Sequence, residues 1–124
     1  MAGAQLVQAR KQKNMECAST VEVGDLVYLH PSTPNTVVTA EDNNTPSPII
    51  GIVISKYSDN NAKVLVSGII KISTVIDNGR LFVGLGGGIS PSCPMVNYSQ
   101  EIGRSFGDGV IDFAPVYRRV KRSA

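Results

Sequence analysis

The run Gly84, Gly86, Gly87 and Gly88 follows a β-branched stretch, where a phosphate-cradling loop would sit. Such loops work because a helix starts just beyond them and aims its free N–H groups at the anion. Here the Gly-Lys-Ser/Thr ending is missing, and Pro91 and Pro94 break the helix that would have to follow. The glycines therefore read as a turn or a close packing contact.

His30 is the single histidine, so a nucleophile–base pair would need a Ser or Cys93 brought beside it by the fold. Its place at a strand end next to Pro31 suits a solvated or capping histidine better. Cys17 and Cys93 match no metal or redox spacing and are expected to be free thiols in a reducing compartment, with a single disulfide as the alternative. Glu41-Asp42 falls in a polar loop, and Asp59, Asp77 and Asp108 each fall in a turn, where a side chain-to-backbone bond explains them. No catalytic site, metal or cofactor is expected.

The charges that stand out are basic and terminal. Arg10, Lys11 and Lys13 lie near the start, and Arg118, Arg119, Lys121 and Arg122 at the end. Residues 14–117 hold all ten acidic residues and only five basic ones, so the body is net −5 within a chain of net charge +2. Basic ends on an acidic body suggest arms that reach an acidic partner, and these seven residues are the candidate partner-binding set. The simpler alternative is solubilising charge at frayed termini, whose removal would leave stability nearly unchanged.

The elements that must position these groups are strands. Trp is absent and aromatics are 6%, so the core must come from Val, Ile and Leu, which favours strands over helices. Residues 1–20 show no broad helical stripe and read as an arm that becomes a strand near 15–17. "TVEVGDLVYLHP" alternates, with a turn or bulge at Gly24-Asp25, and "NTVVTA" is a short strand. The β-branched runs at 49–57 and 62–67 flank Ser58-Asp59-Asn60-Asn61 as a hairpin, and Gly68 is placed to bend the second strand. Asp77-Asn78-Gly79 precedes a strand at 80–83, and Gly107-Asp108-Gly109 precedes a closing strand at 110–113.

The expected fold is all-β: a small β-barrel or β-sandwich of about eight short strands with extended, basic N- and C-terminal arms. The divisions are an arm at 1–20, a body at 21–115 and a basic tail at 116–124. The first twenty residues carry three positive charges and no apolar run of seven, so no signal peptide is expected. No run of eighteen apolar residues is present to span a bilayer as a helix, and synthesis in a cytoplasm is expected. A nucleic-acid-binding SH3-like or OB-like small barrel is one alternative. It would need basic and aromatic residues interleaved on one face, whereas the seven aromatics here are spread about one per strand over an acidic body.

The order of five phrases carries a resemblance: "GDLVYL" at 24–29, "IIGIVISK" at 49–56, "AKVLVSGII" at 62–70, "GRLFVGLGGGIS" at 79–90 and "YSQEIGRSF" at 98–106. In this order they resemble small virion proteins of tailed bacteriophages, namely capsid decoration (cement) proteins and adaptor domains of head or tail fibres. The resemblance covers roughly residues 20–113 and leaves out both basic arms. It implies a non-enzymatic, all-β virion component, often trimeric in decoration proteins, whose partner is the major capsid protein or another virion protein. The expected function is therefore binding and stabilising the outer shell. A collar, tail, fibre-adaptor or baseplate module is the alternative within the same class.

Overall fold

The structure, a computed structural model, describes residues 5–30, 32–40, 48–72, 78–84, 88–93, 97–116 and 120–122. Every regular element among them is a strand, so the chain is all-β, as its Val- and Ile-rich composition requires. In chain order the strands are β1 Gln5–Cys17, β2 Leu26–Leu29, β3 Thr36–Thr39, β4 Ile49–Ser58, β5 Asn61–Lys71 and β6 Gly79–Val83. They continue as β7 Ile89–Ser90, β8 Asn97–Ser99, β9 Glu101–Gly107, β10 Val110–Phe113 and β11 Val120–Arg122.

Nine strands form one sheet in the order β1-β3-β2-β4-β5-β10-β9-β6-β7, and β8 pairs with β11 apart from it. Because β1 also pairs with β5, the strands β1, β3, β2, β4 and β5 close into a ring. The rest of the sheet continues from the far half of β5.

That division happens at Gly68. β5 pairs with β4 from Asn61 to Leu65, then with β10 from Gly68 to Lys71, while β1 runs along its other side throughout. A Cβ at Gly68 would collide with the Gln8 carbonyl oxygen of β1, so only glycine allows the two backbones to approach so closely. The expected bend thus appears as a change of partner within an unbroken strand. The expected hairpin is present, with Asp59-Asn60 at its tip; neither residue takes positive φ, and bulges in the β4–β5 ladder absorb the irregularity instead. At the β9–β10 turn, Gly107, Asp108 and Gly109 have φ of 92°, 52° and 79°, which explains the two glycines there.

Alternation along the ring strands feeds two cores. Met15, Cys17, Val27, Val37, Val53, Ala62 and Val64 come from all five ring strands and fill the ring interior. Their neighbours Leu26, Ile52 and Leu65 point the other way and pack against Ile70, Leu81, Ile102, Ile111 and Phe113 of the remaining sheet. Gln100 is the largest of the buried polar side chains among the described residues, and its amide bonds to both backbone groups of Ile49 and to the Val116 carbonyl.

The N-terminal segment is extended, but it is not a free arm. It is a strand from Gln5 rather than from near Met15, paired with β5 along its length. Alternation did not mark it because side chains on both its faces are exposed from Gln5 to Asn14, so backbone pairing rather than burial holds it. Part of the C-terminal tail is also paired, Val120–Arg122 against Asn97–Ser99.

Candidate functional site

Among the described residues the ring has one closed end and one open end. At the closed end the Cys17 N–H donates to the Asn60 carbonyl at 2.9 Å. The Lys56 ammonium donates to the Ser19 and Val21 carbonyls at 2.9 and 2.7 Å, and the fully buried Val21 side chain helps fill that end.

Towards the other end each strand passes from buried to open positions. On β1 the row is Cys17, Met15, Lys13, Lys11; on β5 it is Ala62, Val64, Val66; on β2 it is Val27, Leu29. The result is a recess of about 230 Å³ lined by Lys11, Lys13, Met15, Leu29, Ile50 and Val66. Its floor is aliphatic, and the lysine stems form one wall while their ammonium groups can stay solvated. Among the described residues no carboxylate pairs with Lys11 or Lys13.

Beside the recess runs a free strand edge. β1 meets β3 only through Glu16 with Thr36 and Cys17 with Val37. From 5 to 14 its outer edge is paired with no strand among the described residues. Backbone donors and acceptors therefore lie alongside an apolar recess with two cations.

The candidate basic residues divide accordingly. Lys11 and Lys13 line the recess, whereas Arg10 is ion-paired to Asp112 of β10 and also reaches the Phe113 carbonyl at 3.5 Å. That pair is partly exposed, so it contributes little stability, but it directs Arg10 away from the recess. Lys121 and Arg122 lie in β11, their backbones opposite Tyr98 and Asn97, while Arg118 and Arg119 lie outside the described residues. Sequence reasoning missed Leu29, Ile50 and Val66. The available signal was the spacing of Lys11, Lys13, Met15 and Cys17, four alternate positions that share a face and grade from charged to apolar.

The other chemical candidates have local roles. His30 Nδ1 accepts from the Ser32 and Thr33 N–H groups, both at 3.1 Å, and so caps the turn before β3. Gly84 N–H donates to the Gly88 carbonyl at 2.7 Å, joining the end of β6 to the start of β7. Residues 85–87 lie outside the described residues, as do Glu41, Asp42 and Asp77. Neither cysteine is in a disulfide; Cys17 is 3% exposed, and burial pushes its thiol up from the ordinary value, partly opposed by the nearby Lys56 charge. Among the described residues no three His, Cys, Asp or Glu side chains converge as a metal site would need. Comparison with family models, with curated proteins and with solved structures finds no match for this chain.

Proposed function

We propose that this chain is a structural protein of a tailed-phage virion, a capsid decoration protein that grips the outer shell through β1 and stabilises it. The observation that carries the reading is β1 itself. It is a 13-residue strand, exposed over its first ten positions, bearing Arg10, Lys11 and Lys13 on a body that is otherwise net −5. A free edge of that length offers main-chain bonds to a neighbouring protein, and its cations favour an acidic one. The order of the five phrases in the sequence supports the same reading. Copies in trimers on local three-fold axes would multiply modest contacts into firm attachment.

The test is a parallel titration of the full-length protein against DNA-free phage shells and against random-sequence DNA and RNA at physiological salt. Saturable binding to shells, with β1 turned towards the shell in a reconstruction, is the expected result. Tight nucleic-acid binding with none to shells would replace this reading by the small-barrel one, and density confined to the tail or collar would move the protein there.

A further inference from the structure

The free edge of β1 and the recess at the open end of the ring lie side by side, and together they specify the chemistry of a partner more closely than either does alone. We propose that they form one docking site for an extended acidic segment of a partner protein. In it the segment pairs backbone-to-backbone with residues 5–14 of β1. One apolar side chain drops onto Met15, Ile50 and Val66, and the carboxylates on either side of it meet Lys11 and Lys13. This deepens the decoration reading by naming what the shell protein would have to present.

Three observations select that occupant. The first is spacing. Side chains two apart on a strand share a face and repeat every 6.5 to 7 Å or so, so a strand laid along β1 sends every second residue to the recess side. An apolar residue over the recess then has neighbours on the same face within reach of the two ammonium groups.

The second is size. About 230 Å³ admits one branched or aromatic side chain and falls short of the roughly 300–1,000 Å³ of a cofactor or drug-sized pocket. No aromatic side chain lines it, so it offers no stacking platform for a base.

The third is charge. Lys11 and Lys13 meet no carboxylate among the described residues, while the neighbouring Arg10 is held by Asp112 on another strand. A second copy pairing through its own β1 would bring cation against cation, which is unfavourable across a strand pair, and edge lysines guard against just that self-pairing. An acidic strand turns the same lysines from a guard into an attraction.

The experiment uses the full-length protein and a capped synthetic peptide about eight residues long, the length of an ordinary strand, with glutamate, leucine and glutamate at three successive alternate positions and threonine between them. Amide shifts on titration should be confined to residues 5–14 and the neighbourhood of Leu29, Ile50 and Val66. The charge-reversed variant K11E/K13E should keep the parent melting temperature and lose about tenfold or more in affinity. A peptide with lysine in place of glutamate should not bind. Absence of binding by the acidic peptide, equal binding by the charge-reversed variant, or shifts elsewhere on the surface would each overturn the site. Protection of the β1 amides in a self-associated form of the free protein would overturn it too, in favour of a second copy. Because the peptide titration needs no shells, its failure is distinct from failure of the shell titration: shells bound equally by K11E/K13E would remove this site and leave the decoration reading standing.

Discussion

The side chain of Gln100 pairs with Ile49 as a second peptide group would: its Oε1 accepts the Ile49 N–H at 2.6 Å, and its Nε2 donates to the Ile49 carbonyl at 2.8 Å. The same Nε2 donates to the Val116 carbonyl at 2.8 Å, and the residue is 2% exposed. One amide thus satisfies both buried backbone groups at the start of β4 and a part-buried carbonyl just beyond β10. Gln100→Leu keeps the volume but leaves three backbone groups without this partner. A loss of about 3 kcal/mol is expected from urea unfolding, since each buried unsatisfied group costs 1–3 kcal/mol or so. A loss below about 0.5 kcal/mol would mean that the amide is replaceable.

Removing residues 1–14 should destabilise the body, contrary to what free charged termini would do. β5 would lose its partner from Lys71 to Lys63, baring ladder groups beside Leu65 and Ile70 of the larger core. The expected cost is about 2–4 kcal/mol, with a more gradual unfolding transition, read by urea melts of the shortened and full chains. An unchanged midpoint would show that β1 rests on the sheet without supporting it.

Gly103 and Gly88 should respond oppositely to alanine. A Cβ at Gly103 would run into the Asp112 carbonyl oxygen on β10, whereas one at Gly88 meets nothing within 4 Å. Gly103→Ala is expected to cost about 3 kcal/mol or prevent folding, and Gly88→Ala to stay within about 0.5 kcal/mol. Thermal melts of the two variants decide it, and similar melting temperatures would contradict the close approach of β9 and β10.

Cys17 makes stability depend on alkaline pH. Burial raises its folded-state pKa above the ordinary 9.0 of the open chain, with Lys56 partly opposing. For a group raised in this way, the contribution is complete below the unfolded value and is lost as pH climbs through the folded one. The stability difference between the parent protein and Cys17→Val should therefore shift against the parent above that range and stay constant below it. A thiol reagent at mildly alkaline pH should modify Cys93, which is partly exposed, well before Cys17. Equal rates would mean that the ring interior opens readily.

What the residues disclosed in advance was local. The hairpin at 49–67 and the Gly107-Asp108-Gly109 turn each depend on neighbours in sequence, and each is present. What stayed hidden depends on distant partners. β1 pairs with a strand some fifty residues away and buries few side chains, so no periodicity announced it. Gln100 reads as an ordinary polar residue until Ile49 is folded against it. Likewise, nothing in the adjacent Arg10-Lys11 shows that one side chain is held by Asp112 while the other faces open space.

The antiparallel ladder between β1 and β5 also gives any attachment through β1 a mechanical direction. A load along the strand axis strains the bonds from Gln5–Lys71 to Glu16–Asn61 together, in shear. A load lifting the strand away at Gln5 breaks them one after another, like a zip. A partner that drags the protein sideways would meet the stiff response, whereas a tug outward at the N-terminus would meet the soft one. The same strand is therefore a strong tether against sliding and a weak one against peeling.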